Sequence, residues 1–336
     1  MAIFGAVANM KKLLLSLLFF PAIAFAANYQ FGDSITVGVG ASSTARGYAQ
    51  VLGPTLGGAI SNSALSGGMV PDQATALYGK SFTASDKTTI MLGTNDERIY
   101  GTNATKQAYF RNGVAALAAY SSSVATKAAS AGSYTGSWET TVAYGIGKNS
   151  FTEGSKVSFN VAGTVVYIGY IKQSGNGGQF TVKIDGVSKG TFTSNGSGIN
   201  TYLGATYGPQ LARFDGLSNA IHAVEIEVIS ATSSANRVYI DWWGSNATAR
   251  TPTYVANIPY ATSYPSGGSN ANVDLYNGEI LAMVNQLSGD GLPVHYIDVN
   301  SVLTPSDMYD AYHPNDAGHL KIFRQFYKSI NNCSCP

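Results

Sequence analysis

Cysteine, charge and long apolar runs are all scarce in this chain of 336 residues. Its two cysteines, Cys333 and Cys335, stand two apart at the C-terminal end, which excludes a disulfide-dense scaffold. They leave open a local disulfide, a bridge to another chain or a reduced tail. No Cys/His cluster has zinc spacing, so neither a metal nor another cofactor is called for. Charged residues make up only 12% and the formal net charge is +1, so the chain lacks the electrostatic footprint of a nucleic-acid or anionic-lipid binder. The one pronounced apolar run, Leu13 to Phe20, is too short to span a bilayer, which argues against a stable membrane anchor.

That short run has a different explanation. Lys11 and Lys12 precede it, and Pro21 and the small-residue ending Ala24-Phe25-Ala26 follow it. This is the charged, apolar and cleavable pattern of a secretory signal, with removal expected after Ala26 and export to the periplasm or the medium. What is plentiful fits an extracellular protein rich in strands and turns: 38 Gly, 21 Tyr and 45% hydrophobic residues. The length suits two modest domains or one large one.

The pattern after the signal divides into three. Asn28–Phe31 reads as a short buried strand and Ala59–Ser63 and Thr88–Leu92 as two further short strands, with helices expected around Gly47–Leu56 and from Thr105 to Ala129. Phe110, Val114, Leu117, Val124 and Ala128 fall on one stripe of the second helix. From Gly132 to Asn246 the helical period disappears and two-residue alternation replaces it, as in Val157, Phe159, Val161 and in Val224, Ile226, Val228. Asp185-Gly186 supplies a turn between such runs. Thr253–Ile258 then resumes a buried strand. A helix carrying Val273, Tyr276, Ile280, Met283 and Leu287 follows, then a strand at His295–Val299 and a last helix opened by Pro314. The expected organisation is a signal at 1–26, an α/β domain at 27–131, an inserted β-sandwich at 132–250, and completion of the α/β domain at 251–336. Alternation of strands with helices implies a parallel sheet with crossover helices.

The chemistry sits at the strand ends. Ser34 follows the first strand, Gly67 the second and Asn95 the third, while Asp310 and His313 precede the last helix. In a doubly wound sheet those ends face one crevice. A serine hydroxyl is a weak nucleophile until an imidazole accepts its proton and a carboxylate fixes the imidazole tautomer. Ser34, His313 and Asp310 supply that set, with His313 expected to cap the last helix. The remaining histidines have structural readings: His222 lies in the β region, His295 begins a strand and His319 is inside a helix. Donors for a developing oxyanion are available from the amides of Ser34 and Gly67 and the side chain of Asn95. Asp33 and Asp96 are expected to brace loops.

Four blocks, Gly32-Asp33-Ser34, Asn62 to Gly67, Gly93-Thr94-Asn95-Asp96 and Asp310 to Pro314, together resemble those of the SGNH (GDSL-type) hydrolase superfamily, in order. The resemblance implies a three-layer α/β/α flavodoxin-like fold, here carrying an inserted all-β sandwich or jelly-roll-like domain. It also implies a metal-independent serine hydrolase with catalytic Ser34, Asp310 and His313 and an oxyanion hole from Ser34, Gly67 and Asn95. Ala64 stands where many members have glycine, and either amide of Gly67-Gly68 could serve; the spacing from Asn62 favours Gly67. The G-x-S-x-G elbow of the α/β-hydrolases is not the motif here.

The expected activity is a secreted esterase acting on short-chain, above all acetyl, carboxylic esters, with an acylated polysaccharide as the favoured substrate. Alternatives are a lipase, arylesterase or thioesterase-type acylhydrolase, an acyltransferase, and an inactive glycan-binding protein on the same scaffold. In the insertion, parity along the strand places Trp242 inward with Val238 and Ile240, and leaves Tyr239 and Trp243 on the opposite, exposed face. Trp138, Trp242, Trp243 and several tyrosines are the candidate sugar platforms; the alternative for the insertion is a structural wall or lid over the crevice.

Overall fold

The computed structural model describes residues 26–333 apart from 124, 142, 176, 232–235 and 248–250. The expected signal therefore lies outside the described residues except for Ala26, and so does Cys335. Among the described residues no helix is long and apolar enough to cross a membrane.

The chain first runs through β1 (Ala27–Gly32), α1 (Ser34–Val37), α2 (Tyr48–Thr55), β2 (Ala59–Asn62), α3 (Val70–Tyr78), β3 (Lys87–Met91), α4 (Thr94–Tyr100) and α5 (Ala104–Ser122). Strands β4 (Thr126–Lys127), β5 (Ser133–Thr135), β6 (Glu139–Thr140), β7 (Lys148–Ser150), β8 (Lys156–Gly163), β9 (Val166–Gln173), β10 (Gln179–Ile184), β11 (Val187–Thr193), β12 (Tyr207–Phe214), β13 (Ala220–Ser230) and β14 (Val238–Ser245) follow. The chain closes with β15 (Thr253–Ala256), α6 (Asn270–Gly289), β16 (Val294–Ile297) and α7 (Asp316–Asn331).

Five strands form one parallel sheet in the order β2-β1-β3-β15-β16. Counting only these five, the order is 2-1-3-4-5, the flavodoxin-like doubly wound arrangement. Successive side chains leave a strand on opposite faces, so each strand feeds two cores. Phe31, Ile90 and Val255 pack with α3, α5 and α6 on one face. Met91, Tyr254 and Ile297 pack with Ile35, Tyr48, Leu52, Ile322 and Phe326 on the other. The result is the three-layer α/β/α fold, with the C-terminal ends of β1 and β3 leading into α1 and α4, whose first turns carry Ser34 and Asn95.

Between β3 and β15 the chain builds two antiparallel sheets, β11-β10-β13-β8-β5 and β12-β9-β14-β7-β6, with β4 pairing on β14. Val157, Phe180, Val182, Val224 and Ile226 from the first meet Val166, Ile168, Val238 and Ile240 from the second. That is an all-β sandwich. Asp185 and Gly186, at φ 52° and 77°, form the hairpin between β10 and β11, where both central residues of a type I′ turn need positive φ.

Three local expectations are corrected. First, parity fails along β14, because a register shift between Ile240 and Trp242 turns the following residues over. Trp243 therefore enters the sandwich core and stacks on Phe159 at 4.0 Å between centroids. Trp242 and Tyr239 face the other way, yet both are buried, because the second sheet packs its outer face on the α/β core. Trp242 meets Tyr120 of α5 edge-on at 5.4 Å. Burying an aromatic side chain of this size stabilises such a junction by about 4–6 kcal/mol, so the sandwich is fused to α5. Second, α5 ends at Ser122 instead of continuing to Ala129. The Ser121 and Ser122 hydroxyls donate back to carbonyls of Leu117 and Ala118, the backbone-competing habit of serine, and Thr126–Lys127 join the sheet. Val124, on the expected stripe, lies outside the described residues. Third, α7 starts at Asp316 with Asn315 as cap, its Oδ1 accepting the amides of Ala317 and Gly318. His313 does not cap it, and Pro314 does not open it.

Candidate active site

Gly32 ends β1, and Asp33 turns the chain. Its Oδ1 accepts the Ile35 amide at 3.0 Å, which caps the single turn of α1 and sets Ser34 at its first position. The Asp33 carboxyl is fully buried, and burial pushes it up to about 6 against hydrogen bonds from the Ile35 amide and Thr94. It braces the loop beneath the serine.

At the other end of the chain, His313 Nε2 stands 2.9 Å from Ser34 Oγ. The same ring presents Nδ1 to Asp310, 2.8 Å from Oδ2 and 3.0 Å from Oδ1. A carboxylate can only accept, so Nδ1 carries the proton and Nε2 offers its lone pair to the serine hydroxyl. Asp310 Oδ1 also accepts the amides of Tyr312 and His313, at 2.8 Å each. Burial raises this carboxyl, but the His313 ring and the two amides outweigh it and hold it below the usual carboxylate range. The His313 side chain is 21% exposed and that of Asp310 44%, so the ring is largely sheltered, and Ser34 is half-buried beside it.

The backbone around this trio is braced from several sides. Gly40, at φ 92°, passes so close that a Cβ there would strike the Pro314 carbonyl and press on His313 Cβ; only glycine fits both the conformation and the approach. Asp316 Oδ1 accepts the Ser42 amide and its Oδ2 the Ser42 hydroxyl, both at 2.7 Å. His319 Nε2 donates to the Val39 carbonyl at 3.1 Å, and its Nδ1 accepts the Tyr48 amide at 3.4 Å. Burial lowers the affinity of this imidazole for a proton. These contacts tie the loop after Ser34 to the helix that follows His313. His222 instead pairs with Asp185 at 2.6 Å, and His295 stacks on Tyr254.

The oxyanion candidates are joined to the same loops. Asn62 Nδ2 donates to the Thr36 carbonyl, and the Leu65 amide donates to the Gly32 carbonyl. A turn then runs from Leu65 to Gly68, with Gly67 at φ 76°. The Gly68 amide donates to the Leu65 carbonyl at 2.9 Å and is engaged inside the turn. Asn95, buried at the start of α4, donates from Nδ2 to the Gly68 carbonyl at 3.1 Å. Asp96 accepts the Val70 amide at 3.2 Å, where α3 begins.

Sequence reasoning missed three residues that join the segments of the candidate site. Arg98 Nη1 donates to Asn95 Oδ1 at 3.3 Å, and its guanidinium lies 4.4 Å from the Tyr312 ring centroid. It thereby links the asparagine to the turn that carries His313. The i, i+3 spacing of Asn95 and Arg98 was the available signal. Asp316 and His319 brace the loops through contacts between the two ends of the chain, which no local pattern announces.

The chain matches no protein-family model, and no curated protein is similar in sequence. Several solved structures are similar in fold. A member of the lipolytic G-D-S-L family from Veillonella parvula DSM 2008 is 10% identical with a TM-score of 0.45, over 92% of this chain and 100% of that one. A two-domain esterase active on acetylated mannans is 10% identical with a TM-score of 0.37, over 67% of this chain and 91% of that one. The CBM36-1 domain of a multidomain xylanase from the hindgut metagenome of Trinervitermes trinervoides is 18% identical with a TM-score of 0.27, over 36% of this chain and 93% of that one. The similarity is slight in each case. It decides nothing about function.

Proposed function

We propose that the protein is a serine esterase that removes short acyl groups, above all acetyl, from an acylated polysaccharide outside the cytoplasm. The observation that carries this reading is the hydrogen-bonded series from Asp310 through His313 to Ser34, with Nε2 2.9 Å from Oγ. His313 takes the hydroxyl proton as Ser34 Oγ attacks the ester carbonyl, giving a tetrahedral oxyanion that faces the amides of Ser34 and Gly67 and the Asn95 carboxamide. Collapse expels the sugar alkoxide, which takes the proton from His313 Nε2 and leaves an acyl ester on Ser34. Water then loses a proton to the same nitrogen and attacks the acyl carbon, releasing the carboxylic acid and regenerating the serine hydroxyl. Asp310 stays ionised and holds the imidazolium.

The polysaccharide part of the proposal rests on three features: the signal-like first 26 residues, the weak net charge and the sandwich inserted into the hydrolase fold. The low density of basic residues makes nucleic acid a poor candidate partner. Wild type and Ser34→Ala assayed on p-nitrophenyl acetate test the reaction, and equal rates would overturn it. A series of p-nitrophenyl esters of increasing chain length tests the acyl preference: acetate is expected to be the best substrate, and a preference for long chains would overturn deacetylation.

A further inference from the structure

Residues 201–205 of the insertion meet the turn that carries Gly67. Residues 201–205 form a tight turn: the Gly204 amide donates to the Thr201 carbonyl at 3.0 Å, the Thr201 amide to the Ala205 carbonyl at 3.1 Å, and the Ala205 amide to Thr201 Oγ1 at 2.8 Å. Thr201 Oγ1 also donates to Asp72 Oδ1 at 2.8 Å, and Asp72 Oδ2 accepts the Met69 amide at the start of α3. The turn is thus pinned to the segment that immediately follows Gly67-Gly68. Its tip carries Tyr202 and Leu203, 73% and 47% exposed. A Cβ built on Gly67 would lie 2.9 Å from Tyr202 Cδ1 and 3.7 Å from Leu203 Cδ2, so the phenol ring lies over the Gly67 Cα. Glycine at position 67 is needed for this approach as well as for its positive φ.

Tyr202 and Leu203 stand exposed side by side on a hydrogen-bonded turn and pack against Gly67 along one edge only. Of the tryptophans that could have served as sugar platforms, Trp242 and Trp243 are buried in the two cores, and Trp138 is partly buried against Tyr134. Among the described residues of the insertion, Tyr202 is the large aromatic that stands exposed, and it stands beside the oxyanion turn.

We propose that Tyr202 is a specificity-determining residue, whose ring stacks on the apolar face of a pyranose in the alcohol portion of the ester; this rests on the esterase reading above. An alkyl chain needs walls on several sides to leave water. A sugar ring needs one flat apolar face and keeps its hydroxyls hydrated, which suits a ring as open as Tyr202.

The test compares wild type, Tyr202→Ala and Tyr202→Trp on O-acetylated xylotriose and on p-nitrophenyl acetate. For Tyr202→Ala the ratio of kcat/KM on the oligosaccharide to that on the aryl ester is expected to fall about tenfold, mainly through KM, the equivalent of about 1.4 kcal/mol of stacking. Tyr202→Trp is expected to restore it. An unchanged ratio overturns the proposal, including the case in which both activities fall together because the ring only buttresses Gly67. If wild type hydrolyses neither substrate, the esterase reading is what has failed. Stacking is then read separately by calorimetric titration of Ser34→Ala protein with xylotriose: a Kd raised about tenfold by adding Tyr202→Ala supports it, and an equal Kd overturns it.

Discussion

The Asp316 carboxylate takes both the amide and the hydroxyl of Ser42 at 2.7 Å, joining the loop that follows Ser34 to the helix that follows His313. Arg46 adds an exposed ion pair to the same carboxylate at 3.0 Å. The link fixes the separation of Ser34 and His313 from outside the reacting groups. Asp316→Ala is expected to lower kcat several-fold with little change in KM on p-nitrophenyl acetate, because binding groups stay in place while the serine and imidazole lose register. Asp316→Asn keeps one acceptor and should lose less. A change confined to KM would contradict this account.

Asn95 is held by two opposed bonds, donating to Gly68 and accepting from Arg98. If its carboxamide faces the oxyanion, Asn95→Ala should lower kcat about 10²–10³-fold, the usual cost of one such donor. Arg98→Ala should cost less, since it frees the carboxamide to rotate without removing it. Steady-state kinetics on one aryl ester check both. Equal activity of Asn95→Ala and wild type would exclude Asn95 from the hole.

Several buried carboxyls make stability depend on pH in a direction fixed by their surroundings. Burial raises Asp33 to about 6 and Glu97 to about 7, and pushes Asp96 and Asp241 well above their ordinary value. A folded-state pKa above the unfolded one means that the folded chain keeps a proton the unfolded chain has released. Each such group therefore removes stability as pH rises from about 4. Burial lowers His295 and His319, which act in the opposite sense near neutrality. The discriminating quantity is the difference between wild type and Asp241→Asn, whose neutral amide cannot lose a proton. The variant's melting temperature should gain on wild type steadily from about pH 4.5 to about pH 7. Parallel curves would show that Asp241 does not titrate in this way.

Much of the fold was legible because its signals are local. The three inner strands of the parallel sheet, β1, β3 and β15, are short, largely buried runs, while the edge strand β2 is exposed to half-buried; the sandwich strands alternate as a surface with one buried face must. The reading failed where that premise failed. The sheet holding β14 is buried on both sides, and the shift between Ile240 and Trp242 reverses the parity on which the exposure of Trp243 was argued. At the candidate site, Ser34, Asp310 and His313 could be proposed together in advance because each residue type brings its own chemistry, and the structure places the three within hydrogen-bond distance of one another. The contacts of Tyr202 with Gly67, of Asp316 with Ser42 and of His319 with Val39 could not be named. They join segments far apart in the chain through turns whose sequences say only that a turn is there.

The central claim is that Ser34 is a nucleophile activated by His313. Intact-mass analysis after treatment with a fluorophosphonate tests it most directly, since the reagent phosphonylates an activated serine with loss of fluoride and leaves ordinary hydroxyls alone. The expected result is a single adduct on wild type, mapped to Ser34, absent from Ser34→Ala and formed orders of magnitude more slowly on His313→Ala. No adduct on folded wild-type protein, or one that forms equally fast without His313, would contradict the account.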